Sequence, residues 1–301
     1  MNSFKSIKAP AKLNINLFIT GKSLNGLHFL KSHICFLELS DQIFIRNDAQ
    51  DVFYQVTQNK SFMLDNKKNL ILNAVNSFRE YTNWKQNFNI ILDKKIPIGA
   101  GLGGGSADAA ATLILLKKLY NADKGVNKKI KQSSLYDIAF KLGSDVPACL
   151  KSKDLILSGL GEKLKRCFIP NNYYFLLINP NIKLSTKEVF ERYKVGIENY
   201  DLDISFEKIT VFNSLLSSAI SLVPEIYYIL SKLKITNNII TYGMTGSGST
   251  CFGIFKNLQD IKQFLIKFNQ ITDKHYFIWY GKKKNYSLDR ITNSKVLENN
   301  V

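Results

Sequence analysis

Histidine is scarce in this chain, three in 301 residues, and the four cysteines never approach one another as a C-x-x-C pair. Zinc-type centres need clustered His and Cys ligands, so this pattern argues against one. Cys35, Cys149, Cys167 and Cys251 are widely separated in mostly apolar surroundings, the setting of reduced thiols that act as small hydrophobes. No run approaches the ~18 apolar residues of a membrane span, and no apolar core of signal-peptide type opens the sequence. A membrane partner is therefore not expected, and the cytoplasm is the expected compartment. Internal repeats and low-complexity linkers are also missing. Acidic residues are the minority charge, 24 against 41 Lys and Arg, leaving a formal +17.

That excess of positive charge raises nucleic acid as a partner, for which a basic stripe interleaved with aromatics would be the footprint. The lysines are instead scattered, as at Lys117, Lys118, Lys128, Lys129 and Lys131 and then singly to Lys282, Lys283 and Lys284. A solvated basic surface that steers polyanionic substrates is the reading they favour, with no nucleic-acid partner. With 45% apolar residues the chain can bury one large core or two modest ones. Two domains are expected, 1–155 and 156–301.

Between Pro97 and Leu113 the sequence reads PIGAGLGGGSADAAATL, placing five glycines within Gly99 to Gly105 ahead of an alanine-rich helical pattern. Glycines permit φ > 0 and close approach of a ligand, and the amides and positive dipole end of the following helix attract anions. A nucleotide triphosphate fits such a cradle. Gly99, Gly101 and Gly104 also satisfy G-x-G-x-x-G, with Asp123 about 20 residues on, which leaves a dinucleotide fingerprint as a rival. Its position, after roughly 95 residues of other pattern, weighs against that rival. The loop is not a Walker A motif, because no Lys-Ser or Lys-Thr follows the last glycine. A turn that merely lets helix and sheet pack closely is the bland alternative.

Ala11 to Leu17 alternates, predicting a half-buried strand with Leu13, Ile15 and Leu17 on one face and Lys12, Asn14 and Asn16 on the other. Asn25-Gly26 predicts a turn, Ile43 to Arg46 a strand, Asn69 to Tyr81 a helix and Phe88 to Leu92 a strand. The glycine loop then sits at a strand-to-helix junction, its helix running from Ser106 to Tyr120 with Ala109, Ala110, Leu113, Leu116 and Leu119 facing the core. Asp145, in Gly143-Ser144-Asp145-Val146-Pro147, stands at a chain reversal where a lone Asp is commonly a cap. Further on come a strand at Tyr173 to Ile178, helices at Thr186 to Tyr193 and Pro224 to Leu233, and a second glycine cluster from Gly243 to Thr250. A strand at Cys251 to Phe255, a helix at Leu258 to Phe268 and a strand at Tyr276 to Tyr280 follow, and the polar tail after Tyr286 is expected to fray.

Pro10-Ala11-Lys12-Leu13-Asn14, Pro97 to Leu113, Gly143 to Pro147 and Gly243 to Phe255 stand in the order and spacing of the GHMP kinase superfamily, which the whole chain resembles. Within it, Pro-Ala-Lys-Leu-Asn and the triple glycine before Ser106 are similar to the family acting on cytidylyl-methylerythritol. The resemblance implies an α+β enzyme of two domains, the N-terminal one like domain 2 of ribosomal protein S5 and the C-terminal one ferredoxin-like, with a cleft between. It implies transfer of the γ-phosphoryl of ATP, with Mg²⁺, to the 2-hydroxyl of a cytidine diphosphate-linked methylerythritol. A monomer or weak homodimer is expected.

By that resemblance Lys12 and Asp145 match the catalytic pair: Asp145 would accept or orient the hydroxyl proton, and Lys12 would favour its ionised form and add charge at the transferred group. Pro97, Gly99, Ala100, Gly101, Leu102, Gly103, Gly104, Gly105 and Ser106 match the phosphate loop, and Asn69 and Leu70 positions near the adenine. Asn14, His28, Phe190, Gly246, Ser247 and Gly248 match positions at the acceptor substrate. Leu27 stands where the family has a tyrosine that stacks on cytosine, so weaker base binding is expected, a base–aromatic stack being worth roughly 1–3 kcal/mol. No carboxylate announces itself as a magnesium ligand. The remaining alternatives are a kinase of homoserine, mevalonate or a sugar, and a silent nucleic-acid-binding scaffold on the same fold.

Overall fold

Alternate residues of the central strands reach two different cores, and that period of two stacks the molecule in four layers: helices, sheet, sheet, helices. The computed structural model describes residues 3–57, 60–63, 69–123, 125–126, 128–194, 211–270, 272, 275–285 and 291–294. The first sheet comprises β1 (Phe4–Asn14), β2 (Phe18–Lys22), β3 (His28–Asp48), β4 (Val52–Thr57), β5 (Lys60–Met63), β6 (Asn87–Asp93), β7 (Leu155–Gly159), β8 (Lys163–Arg166) and β13 (Thr292–Ser294). Its order is β13-β1-β3-β6-β4-β5, with β2 and β7 paired to the first half of β3 and β8 to β7. Only the β4–β6 pair is parallel among these, because α1 (Leu70–Thr82) lies between the two in sequence.

One face of this sheet carries α1, α2 (Gly104–Ala122), α3 (Gln132–Leu142) and α4 (Val146–Lys151). In β3, Ile34 and Phe36 point to these helices, while Cys35 and Leu37 point to the second sheet. That sheet holds β9 (Tyr174–Asn179), β10 (Ile239–Met244), β11 (Cys251–Phe255) and β12 (Phe277–Gly281) in the antiparallel order β10-β11-β9-β12. Helices α5 (Thr186–Arg192), α6 (Leu216–Leu222) and α7 (Glu225–Lys234) join β9 to β10, and α8 (Leu258–Gln270) joins β11 to β12. This is the ferredoxin-like order. Phe175 and Leu177 of β9 face the first sheet, and Leu176 and Ile178 face the helices.

The first sheet runs on past residue 155, where the expected division falls. Leu155 itself pairs with Ile34, β7 and β8 form a hairpin, and the second sheet starts only at Tyr174. Thr292–Ser294 return to the first sheet, pairing with Phe4, Lys5 and Ser6, so this part of the tail is not frayed. Residues 286–290 and 295–301 of that tail lie outside the described residues. No helix among the described residues is long and apolar enough to cross a membrane.

Helix α1 starts as its sequence predicts, with the Asn69 side chain accepting from the Ile71 amide at 2.9 Å and Ile71, Ala74, Val75 and Phe78 buried. Helix α2 departs from the expected amphipathic stripe: every residue from Ala107 to Leu116 is buried. Its alanines let α1, α4, β1 and β3 close around it, so no side of that stretch is left to water.

Phe252, fully buried with Leu13, Leu37, Phe175 and Ile254, joins the two sheets. Phe252→Ala should lower the free energy of unfolding by about 3–5 kcal/mol, read from urea denaturation followed by circular dichroism.

Candidate active site

Strand β1 changes face partway along. Ile7 and Ala9 point to the helices, but Ala11, Leu13 and the following Ile15 point to the second sheet. The register against β3 jumps between Pro10, opposite Ser40, and Lys12, opposite Phe36. This bulge re-aims the strand, so that Lys12 and Asn14 come onto the helix side, above the start of α2. Pro10 within a strand is the sequence signal for such an irregularity.

Lys12 is 3% exposed. Its Nζ donates to Asn14 Oδ1 at 2.8 Å and lies 3.2 Å from Asp145 Oδ2. Asn14 is fixed in turn, its Nδ2 donating to Ser32 Oγ at 2.8 Å and its backbone amide to Thr245 Oγ1 at 2.9 Å. Asp145 precedes α4 but makes no side-chain capping bond to it. Its carboxylate turns to Lys12 instead, which sets aside the cap reading. Asn16, expected beside Lys12 and Asn14, lies past the strand end and accepts from the His33 amide at 2.8 Å.

The two glycine clusters lie against each other. Ala100 O accepts from Thr250 Oγ1 at 2.6 Å, and a Cβ on Gly101 would fall 2.4 Å from Thr245 O. Gly101 thus serves backbone-to-backbone packing between the domains as well as the cradle. Gly103, in the left-handed region at φ +62, ends the loop without a side-chain cap, and the first amides of α2 have no acidic side chain in the first turn to meet them. That free, positive helix end faces the Lys12–Asp145 pair across a cleft of about 480 Å³. Asp123, the acid of the rival dinucleotide fingerprint, sits at the other end of α2 and accepts from Trp84 Nε1 at 2.9 Å.

The cleft is lined by Lys12, Asn14, Asn69, Leu70, Pro97, Gly99 to Ser106, Asp145, Phe190, Gly246 and Ser247. Leu27, His28 and Gly248 do not line it. Leu27 is 57% exposed at the tip of the β2–β3 hairpin, and Gly248 packs toward Met244, Leu184 and Ile226. The His28 ring stacks on that of Phe190, which does line the cleft, with centroids 5.1 Å apart, and meets the Tyr193 ring at right angles at 6.0 Å. Desolvation, with nearby Lys22, lowers the His28 pKa and favours a neutral imidazole with one donor and one acceptor nitrogen. Sequence reasoning missed Ser32, Gln55, Thr186 and Tyr193, single polar or aromatic residues on strands and helices with no motif around them. The cysteines stay outside this chemistry: all four are free, and burial raises their thiol pKa values.

The GHMP kinases N terminal domain family matches residues 69–153, and the GHMP kinases C terminal family matches residues 198–270. The chain belongs to the GHMP kinases. A 4-diphosphocytidyl-2-C-methyl-D-erythritol kinase of Ehrlichia canis is 36% identical over 270 residues, covering 84% of this chain and 89% of its own. One of Wolbachia pipientis is 34% identical over 87% of this chain and 92% of its own. A crystal structure of 4-(cytidine 5'-diphospho)-2C-methyl-D-erythritol kinase superposes with a TM-score of 0.73 at 25% identity, covering 92% of this chain and 98% of that one.

In this GHMP kinase a Cβ on Gly103 would lie 3.1 Å from Lys12 Cε and 3.2 Å from its Cβ, at a φ that L residues rarely adopt. Gly103→Ala should weaken ATP binding by on the order of tenfold, measured by calorimetric titration, through strain and displacement of Lys12.

Proposed function

We infer that this chain transfers the γ-phosphoryl of ATP to the 2-hydroxyl of 4-(cytidine 5'-diphospho)-2-C-methyl-D-erythritol, giving the 2-phosphate and ADP in the non-mevalonate route to isoprenoid precursors. The observation that carries the reading is the Lys12–Asp145 pair at 3.2 Å, facing the uncapped start of α2 within one cleft. The names of the relatives supply the substrate.

Phosphoryl transfer depends mainly on placement and on charge stabilisation. The amides of Gly104, Gly105 and Ser106 would hold the donor's phosphates at the helix dipole, and Asn69 and Leu70 would flank its base. Asp145, partly open to the cleft, would orient the acceptor hydroxyl and take its proton. Lys12, buried behind it, would hold that carboxylate in place through the ion pair and add positive charge to the transferred group. Mg²⁺ accompanying the nucleotide would supply positive charge against the phosphates. Among the described residues there is no cluster of three or more His, Cys, Asp or Glu, and no residue is assigned to the ion.

His28, Phe190 and Tyr193 form the aromatic group next to which the cytosine would lie, and Asn14, Gly246 and Ser247 would border the rest of the acceptor. The exposure of Leu27 favours one second reading, a GHMP kinase for an alcohol without a base. The setting proposed is a monomer or weak homodimer in the cytoplasm.

ADP release from MgATP should occur with the cytidylyl substrate and not with homoserine or mevalonate, and Asp145→Asn should abolish it. Preference for another alcohol would overturn the substrate while leaving the kinase. Phe190→Ala should raise KM for the cytidylyl substrate about tenfold and leave KM for ATP unchanged, in steady-state kinetics with each substrate varied.

A further inference from the structure

Beneath the glycine loop a lysine and two aspartates are buried together, apart from the Lys12–Asp145 pair. Lys94, just after β6, donates to Asp41 of β3 at 2.6 Å and to Asp108 of α2 at 2.7 Å. All three side chains are at least nine-tenths buried. The other oxygen of Asp41 accepts from the Lys95 and Ile96 amides at 2.6 and 2.8 Å, fixing the chain as it enters the loop. A Cβ on Gly104 would lie 3.0 Å from Lys94 Nζ, so the first turn of α2 rests on the ammonium. The other oxygen of Asp108 is buried without a hydrogen-bond partner, although the residue borders the cleft.

We propose that Asp108 is a positioning residue of the phosphoryl-donor site: tied through Lys94 to Asp41, it holds both ends of the glycine loop in one geometry under the donor's phosphates. The inference rests on the reading of this cleft as an ATP site, and not on the identity of the acceptor.

The charge of the tie follows from its burial. One ammonium against two carboxylates leaves a net −1 that would repel a triphosphate, unless one carboxyl keeps a proton. Burial pushes Asp108 up to about 8, Lys94 opposing and Asp41 adding to the rise. Burial works to lower the Lys94 pKa, but the two carboxylates outweigh it and hold it above its ordinary value. Lys94 and Asp41 are the charged groups facing Asp108; from α4 only the Cys149 thiol, itself raised by burial, comes under its influence. At neutral pH the tie is therefore neutral, and it becomes anionic as Asp108 loses its proton.

MgATP affinity should be measured by calorimetric titration of the full chain at about pH 7 and about pH 9, for the parent, Asp108→Asn and Asp41→Asn. The parent should bind on the order of fivefold more weakly at the higher pH, the effect of one added negative charge near the phosphates. Both variants should lose this dependence. The first has no proton to release, and in the second an ionised Asp108 is matched by Lys94 alone. A tie with only a structural role would shift the melting temperature and leave the pH dependence in place. A flat parent profile, or a weakening that persists in either variant, overturns the inference alone. Failure of the parent to bind MgATP at both pH values overturns it together with the kinase reading.

Discussion

An ammonium at 3% exposure has lost nearly all of its hydration, a cost of several kcal/mol unless partners replace the water, and Lys12 is such a group. Two partners are within reach, Asn14 Oδ1 and the Asp145 carboxylate, and neither is local to the other in the chain. The bulge in β1 brings Lys12 to the helix side of the sheet. Gly103 leaves room beside its stem, and the turn before α4 delivers Asp145 from more than a hundred residues away. The need to compensate one buried cation therefore constrains a strand irregularity, a glycine and a helix start together. It also leaves the paired carboxylate at the cleft, since Asp145 keeps about a third of its side-chain surface open.

The same constraint couples the two domains. Asn14 is held by Thr245, which lies in the loop after β10, and that loop packs backbone to backbone on the glycines before α2. Displacement of one glycine cluster would disturb the other, and through Asn14 the ammonium as well. The glycines thus make a contact too close for any side chain, and in the proposed function they would also form an open phosphate cradle. A reading that treats these as rivals, ligand loop or packing turn, separates what the fold combines.

Residues with local determinants were legible in the sequence. Asn69 as the cap of α1, the junction at Gly99 to Gly105 and the alternation that puts Lys12 with Asn14 are properties of short windows, and each is realised. The failures have long-range causes. Alternation grouped Asn16 with Lys12 and Asn14, but the strand ends at Asn14 and the Asn16 side chain is taken up by the His33 amide. An Asp before Val-Pro resembles a cap until a buried lysine from the far end of the domain claims it. The lone polar residues Ser32 and Gln55 carry no pattern at all. They reach the cleft only because β3 and β4 are neighbours of β1 and β6 in the sheet.

The acceptor end of the cleft follows a different logic from the donor end. In the proposed function the donor end would be built from the backbone amides at the start of α2 beside the buried Lys12. The acceptor end would be bordered by the β2–β3 hairpin and α5, where His28, Phe190 and Tyr193 pack together. Leu27 at the exposed hairpin tip offers no aromatic face, while Phe190 and Tyr193 both pack against His28. Planar recognition needs a π face and a hydrogen-bonding edge more than a particular residue number. The imidazole of His28, whose pKa desolvation and Lys22 lower, would provide that edge in the proposed site. Leucine at position 27 is thus compatible with the proposed base site, whose function would be distributed over two elements rather than lodged in one residue.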